Sequence, residues 1–312
     1  MMKNWLAAGA VALSVGMTGT AAFAQTTTVP GEQVGLAVGA PLPEGVYALN
    51  TFLYRSPDTS PVDVGINVPI LLWSTPWKIL DARVELAVAP PTVFSFGRGR
   101  NGGALDTSIN VGTFIGGIFA WDLGNNVGVS YLAGVYLNEL NAGRGCGIGC
   151  LPILSSNTYR QGFAISYTGD GWNLTANLTY NFYDTPSFFS GGSPLLRGPY
   201  APSDALNLDL TATKKFGKWE IGAIGYGTTD LSNNSRFAPA TRSGYFALGG
   251  LIGYDFGPFT VQGYAARYVA TRALDARGRE NYATEGWFRV IAPLYTVAAA
   301  PAPAPAPLVR KY

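Results

Sequence analysis

The segments of this chain that alternate in hydrophobicity are joined by connections that themselves alternate, short then long. Period-two alternation belongs to a strand with one face in oil and the other in water. Alternately tight and long connections belong to an up-and-down membrane barrel, with turns at the periplasmic end and loops outside the cell. The clearest segment runs from Trp172 to Phe182. One face carries Trp172, Leu174, Ala176, Leu178, Tyr180 and Phe182; the other carries Asn173, Thr175, Asn177, Thr179 and Asn181. An aromatic residue stands near each end of the apolar face, where the two membrane interfaces would lie. Leu206, Leu208, Leu210 and Ala212 repeat the pattern against Asn207, Asp209, Thr211 and Thr213. A soluble sandwich strand alternates in the same way, so the connections carry the argument.

Twelve strands are predicted, at 46–54, 63–73, 80–90, 107–122, 126–138, 156–168, 171–183, 204–216, 218–230, 243–256, 258–271 and 283–294. Ser74–Ile79, Leu123–Asn125, Gly169–Asp170, Gly217 and Gly257 are read as short turns, with Gly and Asp supplying the turn chemistry. The connections 91–106, 139–155 and 184–203 are read as long loops. Both termini fall on the short-turn side, and an even strand number with periplasmic termini is the bacterial arrangement. The expected fold is all-β: a transmembrane antiparallel up-and-down barrel of about twelve strands, with fourteen as the alternative.

Residues 1–24 read as a secretory signal: Lys3 precedes a short apolar stretch from Trp5 to Val15, and Ala22-Phe23-Ala24 has the small-x-small cleavage pattern. No other run is long and apolar enough to predict a spanning helix. Residues 25–42 are read as a periplasmic leader or an internal plug, 43–295 as the barrel, and 296–312 as a periplasmic tail. Alternating Pro and Ala from Ala298 to Pro307 predict an extended spacer there. Charged residues make up only 13% of the chain, against about 25% in a typical soluble domain. Mean hydropathy is nevertheless just +0.15, as expected when an oily face and a wet face are averaged. A net charge of +2 gives no reason to expect nucleic acid as a partner.

Arg83, Glu85, Arg160, Asp209, Glu220, Glu285 and Arg289 lie within predicted strands and phase opposite the apolar stripe. They are the lumen and substrate-path candidates, because a charge on the lipid face costs roughly 2–4 kcal/mol at mid-membrane. The same residues equally suit an internal polar network. Arg267 breaks the phase, near the outer end of its strand, where a long side chain can snorkel.

The stretches VPILLWSTPWKILDARVELAVAPP from Val68, DALNLDLTATKKFGKWEIGAIGYGTTDLS from Asp204, GGLIGYDFGP from Gly249 and FRVIAPL from Phe288 carry a resemblance. They are similar to the family called MetA-pathway of phenol degradation, across most of residues 43–294. Its most specific piece runs from Asp209 to Asp230, with Asp209, Lys214, Phe216, Trp219, Gly222, Gly225, Tyr226 and Asp230 in the family's pattern. The resemblance implies a transporter-like outer-membrane barrel whose solutes are aromatic or hydrophobic compounds. Read physically, Lys214 to Trp219 predict a tight periplasmic hairpin, with Phe216 and Trp219 in the aromatic girdle.

Cys146 and Cys150, in the loop GCGIGC, are the only cysteines, and export makes a disulfide between them the expected state. The chain has no histidine, so no Ser–His hydrolase is possible, and neither a metal nor a cofactor is expected. Gly97 to Gly102 match the dinucleotide glycine spacing, but a Pro-Pro pair precedes and a strand follows, so an outer loop is expected. Phe188, Phe189 and Tyr200 make the loop 184–203 apolar and are candidates for the barrel mouth.

The expected function is an outer-membrane channel or transporter-like barrel for uptake or efflux of small molecules in a Gram-negative envelope, and not an enzyme. The alternative is a structural or adhesive barrel with a filled lumen. Expected partners are the outer-membrane lipid, lipopolysaccharide and a small-molecule solute; oligomeric state is not legible. Arg55, Arg98, Arg100, Arg144, Arg197, Arg236, Arg242, Arg272, Arg277 and Arg279 are assigned to outer loops, where guanidinium groups suit phosphate. Changing Arg272, Arg277 and Arg279 to Gln is therefore expected to lower lipopolysaccharide retention during purification; unchanged retention removes that assignment.

Overall fold

Every predicted alternating segment forms a strand in the computed structural model of the protein, which describes residues 28–59, 62–98, 107–110, 112–140, 155–183, 204–231, 244–273 and 278–297. The segments are β1 (Gly45–Pro57), β2 (Val62–Ile79), β3 (Ala82–Ala89), β4 (Thr92–Gly97), β5 (Thr107–Asn110), β6 (Thr113–Asp122) and β7 (Val127–Leu140). They continue as β8 (Ser155–Tyr167), β9 (Trp172–Tyr183), β10 (Ala205–Phe216), β11 (Trp219–Asp230), β12 (Gly244–Asp255), β13 (Thr260–Thr271) and β14 (Ala283–Thr296). Each pairs antiparallel with its neighbours. The ring runs β1-β14-β13-β12-β11-β10-β9-β8-β7-β6-β3-β2 and closes through a β1–β2 pairing. That is a closed barrel of twelve strands, which leaves no sheet edge to face lipid.

β4 and β5 are extensions of the third and fourth staves rather than additional ones. The long β2 pairs with β3 along Leu71–Ile79 and with β4 along Val62–Asn67. Between them the chain passes through Pro90-Pro91, which have no N–H to give to a ladder. β5 pairs with β4 and is separated from β6 by residues 111–112. Two expectations are corrected here. The loop predicted at 91–106 begins with strand β4, and the single strand predicted at 107–122 is interrupted.

A third correction concerns Ser74–Ile79, read as a turn. These residues continue β2, and the turn is Leu80-Asp81, with φ of 50° and 63°. Ser-Thr-Pro resembles turn chemistry, but the structure uses it as a bulge. Ser74 pairs with Glu85 and Lys78 with Arg83, so three residues of β2 oppose Val84 alone. Thr75 Oγ1 donates to the Val84 carbonyl at 2.7 Å and accepts from Trp77 N at 3.1 Å. The ladder thus tolerates Pro76, which has no N–H.

Side-chain parity sorts the wall. Leu71, Phe163, Leu178, Ile221 and Ile252 point outward and are exposed, while Leu53, Tyr226, Tyr264 and Tyr268 point inward and are buried. At the short-turn end an aromatic band surrounds the barrel. Trp73 meets Trp77 with centroids 5.1 Å apart, Trp219 meets Tyr254 at 4.7 Å, and Phe256 meets Phe259 at 4.9 Å. Arg267 stands on the outer face at the loop end and is paired with Asp58, beyond the end of β1. Hydrogen bonding from Arg267 holds the Asp58 carboxyl below its ordinary range. Arg55, assigned from sequence to an outer loop, is instead in β1 and points inward to Glu285. Its parity matches that of Leu53 and Thr51, and β1 extends three residues past the predicted end.

The turn Leu80-Asp81 holds two non-glycine residues at positive φ, which costs roughly 1–2 kcal/mol per residue. The double change Leu80→Asn, Asp81→Gly supplies the residues a two-residue hairpin of this type favours. It is expected to raise the unfolding free energy by about 1 kcal/mol, read as a higher denaturant midpoint with unchanged slope.

Candidate functional site

The inward face is strongly polar, so a closed barrel has to find partners for it. Residues 28–44, which precede β1, supply many of them. They descend through the interior from the loop end toward the short-turn rim, where β1 begins. Successive backbone turns fold them compactly: Glu32 N donates to the Val29 carbonyl at 2.9 Å and Ala40 N to the Ala37 carbonyl at 2.9 Å. Thr28, Val29, Gly31, Glu32, Val34 and Gly35 are all buried.

A glycine at every fourth position brings this segment against the wall. Gly31 N donates to Asp209 Oδ1 at 2.8 Å, Gly35 N to Thr211 Oγ1 at 2.8 Å, and Gly39 N to Ser166 Oγ at 2.9 Å. Gly31 and Gly35 have φ of 93° and 82°, a region that L side chains rarely adopt. A Cβ on Gly39 would lie 2.5 Å from the backbone N of Ser166. Closest approach of the two backbones therefore requires glycine.

β9 contributes its alternating asparagines. Asn173 Nδ2 donates to the Gly35 carbonyl at 3.1 Å, Asn177 Nδ2 donates to Gln33 Oε1 at 2.8 Å, and Asn181 Oδ1 accepts from Thr28 Oγ1 at 2.7 Å. Lower down, Ser130 Oγ donates to the Val38 carbonyl at 2.7 Å. At the short-turn rim Glu85 Oε1 accepts from Leu42 N at 2.8 Å, and Ser74 Oγ donates to the Leu42 carbonyl at 3.0 Å.

Charges complete the attachment. Arg289 is fully buried and donates to Val34 O at 2.6 Å, to Glu32 O, to Thr51 Oγ1 at 2.9 Å, to Gln262 Oε1 at 3.1 Å and to Tyr264 OH at 2.9 Å. Two of those acceptors are carbonyls of the interior segment. Arg160 Nη1 reaches Glu32 Oε1 at 2.7 Å, and its guanidinium lies 4.9 Å from the Phe114 ring centroid and 5.0 Å from that of Tyr136. Asp209 also accepts from Gln33 N at 3.3 Å. Each is a charge-assisted bond away from bulk water, where leaving one partner unmatched is expensive.

A second cluster lies higher, on β1 and β11–β14. Glu285 accepts from Arg55 Nε, from Tyr226 OH at 2.6 Å and from Tyr268 OH at 2.8 Å. Arg55 also donates to Tyr245 OH at 3.2 Å, and the rings of Tyr245 and Tyr268 stack at 3.9 Å. Trp287 stacks on Tyr264 at 5.2 Å and donates from Nε1 to Tyr226 OH at 2.9 Å. Nearer the short-turn end and apart from this cluster, Glu220 accepts from Thr213 Oγ1 on β10 at 2.6 Å and from Gln262 Nε2 at 3.0 Å.

The structure thus places Glu85, Arg160, Asp209 and Arg289 against residues 28–44. Glu220 is one step removed through Gln262, and Glu285 sits in the tyrosine cluster. Arg83 shares the inward parity of Glu85 and donates to the Thr75 carbonyl at 2.9 Å, at the bulge. Phe188, Phe189, Tyr200, Cys146 and Cys150 lie outside the described residues, as do residues 1–24 and the Pro-Ala tail. Sequence reasoning missed Gln262, Tyr264, Tyr226 and Trp287, inward residues without charge, and the glycine spacing at 31, 35 and 39. That spacing was visible in the sequence. Among the described residues no cluster of His, Cys, Asp and Glu suits a metal.

A closed antiparallel barrel with an apolar outside, an aromatic band and a filled polar inside is a barrel of the outer-membrane type. The family described as "Putative MetA-pathway of phenol degradation" matches residues 43–279, and the chain belongs to it. The match begins just after most of the interior segment. Among solved structures, the COG4313 outer membrane channel from Pseudomonas putida F1 is similar with a TM-score of 0.53 and 12% identity, over 81% of this chain and 97% of that one. The NanC porin gives 0.47 and 10%, over 79% and 100%. The translocator domain of the autotransporter NalP from Neisseria meningitidis gives 0.44 and 9%, over 80% and 89%. Only the first bears on the fold. No curated protein matches the chain.

Asp209→Ala leaves the amides of Gly31 and Gln33 without their acceptor. Hydrogen exchange at residues 29–36 is expected to speed up by at least about tenfold, the equivalent of roughly 1.4 kcal/mol. Exchange in β10 itself should be unchanged.

Proposed function

We propose that the protein is an outer-membrane channel for small molecules whose axial route is closed at rest by residues 28–44. The observation that carries this reading is the attachment of that segment to side chains of β2, β3, β7, β8, β9, β10, β13 and β14. Twelve strands enclose a narrow interior, and a folded segment within it occupies much of the cross-section. The lumenal charges hold the segment, and a solute passes beside it or when it loosens. Among the described residues of the interior nothing resembling a nucleophile–base pair for hydrolysis is assembled. Aromatic or hydrophobic solutes are proposed from the family's description, and the inward Tyr245, Tyr264, Tyr268 and Trp287 supply surfaces on which a ring can stack.

Planar-bilayer recording tests this. The intact protein is expected to pass little current, and a variant lacking residues 28–40 to open in clear steps that phenol or benzoate reduces. Equal current from both proteins overturns the closing role. No current from either favours a structural barrel with a filled lumen.

A second route is favoured by a specific feature of the wall. Between the β2–β3 and β2–β4 ladders, residues 68–70 of β2 have no partners on that side. Pro69, Pro90 and Pro91 cluster there. A groove of about 440 Å³ is lined by Ala48, Leu49, Pro69, Ile70, Leu71 and Pro90, from both faces of the sheet. An apolar solute leaving sideways into the membrane would avoid the filled axis. Pro69→Val with Pro90→Val is expected to slow uptake of an apolar aromatic into proteoliposomes while leaving ion current unchanged; unchanged uptake removes the lateral route.

A further inference from the structure

We propose that the short-turn end of β9–β11 is a binding site for one anionic glycerophospholipid of the periplasmic leaflet. The phosphate would sit between Lys214 and Lys218, and one acyl chain would lie in the groove above them. The site rests on the reading of this barrel as an outer-membrane protein and concerns its outer wall, not its interior.

The groove comes from side-chain size. On the outward face of β9, β10 and β11, Ala212 pairs with Ala223 on one side and Leu174 on the other, and Ala176, opposite Leu210, lies one diagonal step from Ala212. Larger residues, Leu174, Leu210 and Leu248, border them. The resulting groove has a volume of about 510 Å³, and its lining is mainly apolar. Around it the larger Phe163, Leu178, Ile221 and Ile252 are exposed on the outer wall.

Its foot is positively charged. Lys214 is on the same outward face, two residues below Ala212 and four below Leu210. That is about 14 Å along a strand, or about 10 Å across the membrane once the usual tilt is allowed for. One leaflet of hydrocarbon is about 15 Å deep, so the groove holds most of an acyl chain whose headgroup is level with Lys214. Lys214 Nζ lies 4.9 Å from the Trp172 ring centroid, which keeps the ammonium at the interface beside the groove. Lys218 is exposed in the turn of the same hairpin, whereas Lys215 has the inward parity of Thr213 and is opposite Glu220 in the ladder. Among the described residues neither Lys214 nor Lys218 has an ion-pair partner. The acid nearest along the ladder, Glu220, faces the interior, where it accepts from Thr213 and Gln262; Asp170 and Asp255 are on the two flanking turns, and Asp255 Oδ1 already accepts from Gly257 N at 2.7 Å. Trp172, Phe216 and Trp219 frame the hairpin with interfacial aromatic rings. An anion with an attached hydrocarbon chain complements both halves of this surface, whereas a zwitterionic headgroup complements only one.

Native mass spectrometry of the full-length protein released from mixed micelles tests the site, with phosphatidylglycerol and phosphatidylcholine as probes. One phosphatidylglycerol is expected to remain bound in preference to phosphatidylcholine. Each lysine near a membrane surface contributes about a fivefold factor, so Lys214→Gln with Lys218→Gln should lower retention by more than tenfold. Ala212→Phe with Ala223→Phe keeps the charges and fills the groove, and should lower retention comparably. Lys78→Gln, on the far side of the rim, should change nothing. Heat-modifiable mobility on gels reports that each variant is folded. Equal retention of the two lipids overturns the proposal, as does loss with the lysine variant alone or displacement by millimolar inorganic phosphate.

Discussion

Everything inside this barrel depends on finding partners for charged groups that closure has removed from water. Arg289 states the problem most plainly. Its guanidinium is fully buried, and among the described residues no carboxylate forms an ion pair with it. It is satisfied by hydroxyl and amide oxygens of the wall and by the carbonyls of Glu32 and Val34. Those carbonyls come from the segment that the barrel encloses, so wall and segment stabilise each other. Asp209 works in the opposite sense, accepting the amides of Gly31 and Gln33. The backbone presents its acceptors to a cation and its donors to an anion, and neither charge is left unmatched.

The outer surface obeys the complementary constraint. In lipid the backbone must be satisfied within the wall, which the closed ring achieves apart from local register shifts and the sites where proline removes a donor. Those exceptions are confined to few places. Pro76 is absorbed into a bulge with Thr75 as a local hydrogen-bonding group. Pro69, in β2, and Pro90, between β3 and β4, both line a groove in the wall. Irregularity in the wall is thus local, and both proposed solute routes follow from where backbone or lumen is filled or left open.

Much of this was legible in the sequence. The alternation at Trp172–Phe182 and Leu206–Thr213 marked both faces of β9 and β10, and the seven in-strand charges were separated from the apolar stripe by parity alone. What misled were residues with two structural uses. Ser74-Thr75-Pro76 is as compatible with a bulge as with a turn, and the choice depends on how far β3 continues as a partner. Arg55 follows an apolar strand and resembles a loop residue until Glu285, on β14, is seen to face it. Thr92–Gly97 alternates too weakly, after two prolines, to be distinguished from a loop without its ladder to β2.

By itself the sequence determined the local properties: period-two strands, turn residues, a charge-poor outer face and hence a twelve-strand outer-membrane-type barrel. Those properties are set by neighbours in the chain. Only the tertiary structure decided what occupies the interior. Gly31 and Asp209 are separated by 178 residues, and Arg289 and Glu32 by 257. No local pattern encodes such pairs, because they exist only once the ring has closed and fixed the height and facing of every inward side chain.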